Sequence, residues 1–195
     1  AVPYRTHESA NAPWAPPGSY TVRLTVGGTN YTQPITVKLD PRVKTPTPAL
    51  AHGAALSREM YDGAWAARAA FGEARKLATQ LEKLAGADAV AFKARVDSLA
   101  PAPTPGGGRA AAFRRRFGGG SSTPTLESVS SGLMGAAMAM QGADVAPTAN
   151  QVAACTKART QSAEVMGKWN VLKTKGLAEL NAKQKAAGQP LVTLP

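Results

Sequence analysis

The stretch Pro17-Gly18-Ser19-Tyr20-Thr21-Val22-Arg23-Leu24-Thr25-Val26-Gly27-Gly28-Thr29-Asn30-Tyr31-Thr32-Gln33-Pro34-Ile35-Thr36-Val37-Lys38-Leu39-Asp40 decides the fold class. Tyr20, Val22, Leu24 and Val26 alternate with Thr21, Arg23 and Thr25, and a period of two is the mark of a half-buried strand. Tyr31, Gln33, Ile35, Val37 and Leu39 repeat the pattern against Thr32, Thr36 and Lys38. Between them Gly27-Gly28-Thr29-Asn30 reads as a turn, because glycine reaches positive φ without steric cost. The expectation is a β-hairpin, with Pro34 placing the second strand at an edge or breaking it there, since proline has no N–H to give a ladder. A lone hairpin cannot bury its apolar face, and nothing later in the chain reads as a strand. The two strands must therefore pack on the helices or on strands from elsewhere.

Downstream the pattern changes to helical. Asp40-Pro41-Arg42 ends the second strand, and Thr45-Pro46-Thr47-Pro48 leads into a first helix, with Thr47 as cap and Pro48 as first residue. That helix is expected to run to about Ala85, with Leu50, Ala54, Tyr61, Trp65, Phe71, Leu77, Leu81 and Leu84 as its apolar stripe and Gly86 at its end. A shorter helix over about Asp88 to Leu99 carries Val90, Phe92, Val96 and Leu99 and stops at Pro101. Thr123-Pro124 opens the next, again as cap and first residue, with Leu126, Val129, Leu133, Ala136 and Met140 at bundle-seam spacing and Gly142 at its end. Thr148-Ala149-Asn150-Gln151 is a capping-box pattern before a long helix. Its stripe is Val152, Cys155, Ser162, Val165, Trp169 and Leu172, and Gly176 breaks or kinks it. A last segment, Leu177 to Ala187, stops at Gly188 and Pro190. Long helices with short loops imply an antiparallel up-and-down bundle. The predicted class is α+β: an irregular arm and hairpin over 1–44, then a helical bundle over 45–195 with a flexible Gly/Arg-rich loop at 100–123.

Composition sets further bounds. Apolar residues make up 44% of the 195, but alanine supplies much of that and aromatics are only 6%, so the core must be thin and spread along helices. The net charge of +11, from 23 Lys+Arg against 12 Asp+Glu, draws the chain to anionic surfaces without selecting one. The single cysteine, Cys155, makes neither an internal disulfide nor a metal site and reads as a small buried residue. The longest apolar run, Leu133 to Met140, is far short of the roughly 20 residues of a membrane span. A start at Ala1, with no apolar leader, suits a processed or excised fragment.

Two segments resemble a known family. Pro17 to Val26 with Gln33 to Arg42 resembles the segment after the β-propeller in secreted bacterial sortilin-like proteins with neuraminidase-type repeats, often labelled glycosyl hydrolases. Gly142-Ala143-Asp144-Val145-Ala146-Pro147-Thr148, Trp169-Asn170, Leu177-Ala178-Glu179-Leu180-Asn181 and Gly188-Gln189-Pro190 are similar to the helical tail of the same chains. The resemblance implies that the hairpin is the end of an immunoglobulin-like sandwich of the flagellar hook-cap type. The earlier strands and the propeller would lie upstream. It also implies a secreted location, periplasmic or extracellular. The Arg- and Gly-rich insert at 106–120 departs from the family pattern.

Chemistry is sparse in the sequence. His7 and His52 lie apart, and no His, Cys and acid cluster has metal-ligand spacing. Glycoside hydrolysis needs two facing carboxylates, whereas the acids here are scattered beside Lys and Arg; Glu82-Lys83 and Glu73 with Lys76 read as helix surface pairs. Nucleophile-elbow, zincin and P-loop motifs are absent. Asn30-Tyr31-Thr32 is formally a glycosylation acceptor but reads as part of a turn. No enzyme activity and no cofactor are expected.

Two interaction surfaces remain. Tyr20, Val22, Leu24, Val26, Ile35 and Val37 are the candidate partner-binding residues of the strand edge, for an upstream propeller or sandwich portion or another subunit. Arg109, Phe113, Arg114, Arg115, Arg116 and Phe117, between glycine runs, form a candidate docking loop. Its arginines and phenylalanines suit an acidic protein groove, an anionic lipid surface or single-stranded nucleic acid, with nucleic acid the less expected. The leading expectation is a non-catalytic interaction module of a larger secreted protein or complex; the alternative is a basic polyanion-binding protein acting through 109–117.

Overall fold

A computed structural model of the protein describes residues 12–102 and 123–194. Its class is α+β. β1 (Gly18–Val26) and β2 (Thr29–Val37) form an antiparallel hairpin. Helices α1 (Thr47–Leu81), α2 (Ala87–Leu99), α3 (Leu126–Ala139) and α4 (Ala149–Val171) follow. A π-helical turn (Leu172–Gly176) then leads into α5 (Leu177–Ala186). No described helix is long and apolar enough to cross a membrane.

The chain divides into two compact units. One gathers the described parts of Ala1–Tyr61 and Met134–Thr156, the other those of Asp62–Leu133 and Lys157–Pro195.

In the first unit the hairpin turn is tighter than the expected four residues. Gly27 (φ 55°) and Gly28 (φ 83°) alone make it, and Thr29 and Asn30 belong to β2. Two successive positive φ values define a type I′ turn, whose twist matches that of the flanking strands; only glycine reaches both without strain. The register pairs Tyr20 with Ile35, Val22 with Gln33, Leu24 with Tyr31 and Val26 with Thr29. In the same unit the capping box is formed as predicted: Gln151 Oε1 accepts from Thr148 N at 2.8 Å, and Gln151 N donates to Thr148 Oγ1 at 3.3 Å. Cys155 is fully buried.

The second unit holds most of the core: Ala64, Ala67, Ala74, Leu77 and Leu81 of α1, Phe92 and Val96 of α2, Leu126, Val129 and Leu133 of α3, and Val165, Trp169 and Leu172 beyond them. Ser130 Oγ donates to Ala64 O at 2.8 Å, and a Cβ on Gly63 would meet Leu133 at 3.4 Å, so α3 lies close on α1.

Several details correct the sequence reading. The buried stripe of α1 runs through Leu56, Met60, Ala64, Ala67, Ala70, Ala74, Leu77 and Leu81, while Trp65 is exposed and Leu50, Tyr61 and Phe71 are half-buried. The stripe holds helical period through small alanines, and the bulky residues fall off it. For the same reason Ala89, not Val90, is buried on α2. α1 ends at Leu81, four residues early, because Lys83 N and Leu84 N bond back only three residues, to Gln80 and Leu81. α3 is capped by Thr125, not Thr123: Thr125 Oγ1 accepts from Ser128 N, and Ser128 Oγ from Thr125 N. Gly176 does not break the helix; it is helical (φ −61°, ψ −42°), and the chain passes through the π turn without interruption. Glu82 pairs with Lys93 at 3.4 Å rather than Lys83, and Glu73 with Lys173 at 3.6 Å rather than Lys76.

Candidate docking face on the hairpin

Alternation and register together place Tyr20, Val22, Leu24 and Val26 of β1 and Tyr31, Ile35 and Val37 of β2 on one face. Ser19, Thr21, Arg23, Thr25, Asn30, Thr32, Pro34 and Thr36 occupy the other. Gln33, opposite Val22, and Thr29, opposite Val26, are the polar members of the first face, so the hairpin is amphipathic with one polar residue in the middle of its apolar side. Its apolar face is nevertheless uncovered: Tyr20, Val22, Leu24, Val26, Tyr31 and Ile35 keep 38–59% of their surface in solvent. Only Val37, at the base, is half-buried. Cross-strand pairing of Leu24 with Tyr31 and of Tyr20 with Ile35 gives the face its cohesion. Tyr31 was read as a strand residue but not as part of the site; its place opposite Leu24 follows once the turn has two residues rather than four.

The segments flanking the hairpin are tied to the rest of their unit. Trp14 N donates to Gln141 Oε1 at 2.6 Å, Tyr20 OH to Pro16 O at 2.6 Å, and Thr45 Oγ1 to Asp144 O at 2.7 Å. Ser57 Oγ donates to Ala137 O at 3.1 Å, and a Cβ on Gly53 would stand 3.3 Å from Pro147. A small cleft of about 90 Å³ lies at this base, lined by Trp14, Leu39, Leu50, Ala54, Met140 and Asp144 among others. On the polar face Thr25 Oγ1 donates to Asn30 Oδ1 at 2.6 Å. Beyond β2, Arg42 clasps the Asp40 carboxylate (Nη2 to Oδ2, 2.7 Å), and this hydrogen bond holds the carboxyl below its ordinary titration range.

In the second unit a part-buried carboxylate joins two helices. Asp97 accepts from Arg75 Nη1 at 2.6 Å and from Lys93 Nζ at 2.7 Å, and Arg75 also donates to Ala100 O at 2.9 Å, closing the end of α2. Burial opposes the charge on Asp97, but its hydrogen bonds from Lys93 and Arg75 outweigh that and hold the carboxyl low. Asn181 clamps the C-terminal strand of coil: its Nδ2 donates to Val192 O and its Oδ1 accepts from Val192 N, both at 2.8 Å. Nothing in the sequence pattern marks either Arg75 or Asn181, because each partner lies across a loop.

Among the described residues no group of three or more His, Cys, Asp or Glu is placed to hold a metal ion. His52 lies exposed near the start of α1. His7 and the docking-loop residues Arg109, Phe113, Arg114, Arg115, Arg116 and Phe117 lie outside the described residues. No protein-family model matches the chain, and no curated protein or solved structure matches it.

Proposed function

We propose that this chain is a non-catalytic interaction module of a larger secreted protein or complex, and that its hairpin is completed by a protein partner. The observation that carries this reading is the uncovered apolar face: six large side chains around Gln33 on one side of a hairpin whose other side is polar apart from Pro34. An apolar patch of this kind on a folded chain marks an interaction surface, and two strands alone do not hold together in water. The ties at Trp14 and Thr45 support the same view, since they anchor the segments on either side of the hairpin.

In this reading the partner's strands and the hairpin together make an immunoglobulin-like sandwich. The strands come from an upstream propeller-bearing portion, as in the sortilin-like family the sequence resembles, or from another subunit. The helices form an antiparallel up-and-down bundle that serves as a second docking platform. The location is periplasmic or extracellular.

The test is a single substitution. Leu24 stands in the middle of the face with 59% of its surface exposed. Leu24→Asp puts a charge where the partner must exclude water. Native material sized gently and identified by mass spectrometry should show the parent chain with a stoichiometric polypeptide and the variant without it. A variant that assembles normally sinks the reading.

A further inference from the structure

The two edges of the hairpin are not equivalent. A type I′ turn closes with the carbonyl of Val26 accepting from the N–H of Thr29, which makes Val26 and Thr29 a hydrogen-bonded pair. Bonded and non-bonded pairs alternate along an antiparallel ladder. Hence Leu24–Tyr31, Val22–Gln33 and Tyr20–Ile35 are bonded pairs, with their N–H groups turned inward. The other residues turn theirs outward. On β1 these are Ser19, Thr21, Arg23 and Thr25, an unbroken row of donors. On β2 they are Asn30, Thr32, Pro34 and Thr36, and the row is interrupted at Pro34. The proline therefore costs the hairpin nothing inside its own ladder and spoils only the outer edge of β2.

Resting on the docking reading above, we propose that the partner adds a strand along β1, giving the order partner–β1–β2. The added strand carries apolar residues on the side of Leu24 and a carboxylate on the side of Arg23. Arg23 is the only charged residue between Gly18 and Val37, lies on the polar face, and makes no ion pair among the described residues. A second copy of this chain is the poorer occupant for two reasons. Two-fold pairing of β1 with β1 brings two Arg23 side chains together on one face of chains that each carry +11. Face-to-face contact instead stacks two hairpins and leaves the outward donors of Ser19, Thr21, Arg23 and Thr25 unpaired in both copies.

The experiment follows amide exchange by NMR in the intact chain, with a nine-residue synthetic peptide that alternates valine with threonine and carries one central glutamate. The expected result is slowed exchange at Ser19, Thr21, Arg23 and Thr25 with Asn30, Thr32 and Thr36 unchanged. Thr21→Pro, which removes an outward donor from β1, should weaken peptide binding about tenfold, and Thr32→Pro should leave it unchanged. Exchanging the peptide's glutamate for lysine should weaken binding to the parent and restore it to Arg23→Glu. Slowing at Asn30, Thr32 and Thr36 instead overturns the edge assignment and leaves the docking reading standing. Slowing at β1 that depends on protein concentration, without peptide, overturns the partner's chemistry in favour of a second copy. Peptide bound by Leu24→Asp as tightly as by the parent overturns the docking reading itself.

Discussion

Asp97 shows how one carboxylate ties two helices. It receives Lys93 from its own helix and Arg75 from α1, and Arg75 passes on to Ala100 O. Asp97→Asn keeps the shape and removes the charge, so it weakens two charge-assisted hydrogen bonds, for a loss of about 1 kcal/mol at neutral pH. The pH dependence follows from the directions. Asp97 titrates below its ordinary value in the folded chain, so its contribution is present above the unfolded pKa of about 4 and is lost as pH falls through the folded one. Lys93 titrates above its ordinary value, chiefly through its hydrogen bond with Asp97. Its contribution is present below about pH 10.4 and is lost as pH rises through the folded pKa. Urea denaturation should therefore separate parent and variant across the neutral range and bring them together in acid. An equal gap at pH 7 and well below pH 4 would show that the loss is packing. None of this was legible in the sequence: local spacing offered Lys83 and Lys76 as partners for Glu82 and Glu73, whereas the chain folds to give them Lys93 and Lys173. Local spacing sees only the next few residues, and adjacent ones such as Glu82 and Lys83 do not even share a helix face; it sees no tertiary neighbour.

At the scale of elements, signals that depend on main-chain chemistry transferred well and signals that depend on side-chain bulk did not. The hairpin and the Thr148–Gln151 capping box appear where they were read, because alternation and caps are local physics. The stripe of α1 was misplaced because large residues were counted and alanines were not; the helix buries an alanine seam, and Trp65 stays outside with Arg68 5.8 Å from its ring centroid. Gly176 makes the same point. Of the expected break or kink, the break is absent: the chain stays helical through a π turn, and the glycine makes room, since a Cβ there would stand 3.0 Å from Phe92 Cε2 and 3.3 Å from Leu172 Cδ1. Two effects compete in Gly176→Ala. Helix propensity favours alanine by up to about 1 kcal/mol, while overpacking costs about 1–3 kcal/mol. Phe92 is 4% exposed and has little freedom to retreat, so overpacking prevails. The variant should lose about 1 kcal/mol in chemical denaturation, and Phe92→Leu in the same chain should recover part of it. A Gly176→Ala chain more stable than the parent would show that the ring yields freely.

For the whole molecule, the net charge of +11 was plain in the sequence, but where it acts is a separate matter. On the docking reading the hairpin's apolar face selects by shape and apolar area, Arg23 on the opposite face adds one charge contact, and the basic surface supplies attraction at a distance. The face itself was legible; what covers it was not, because among the described residues β1 and β2 are the only strands and no local pattern names a partner. The two interaction surfaces can be told apart by salt. Arg109, Arg114, Arg115 and Arg116 replaced together by alanine, and Lys83, Lys157, Lys175 and Lys185 replaced together as a surface control, remove the same charge. If attraction to polyanions is a property of bulk charge, both variants should leave a heparin column at the same reduced salt concentration, because each lost contact lowers the salt dependence by a similar increment. The docking reading expects that equality. Elution of the arginine variant at far lower salt than the lysine control would locate a focused anion site in 109–117, where guanidinium groups and phenylalanine rings act together. In that case the basic insert, and not the hairpin, becomes the chain's principal binding element.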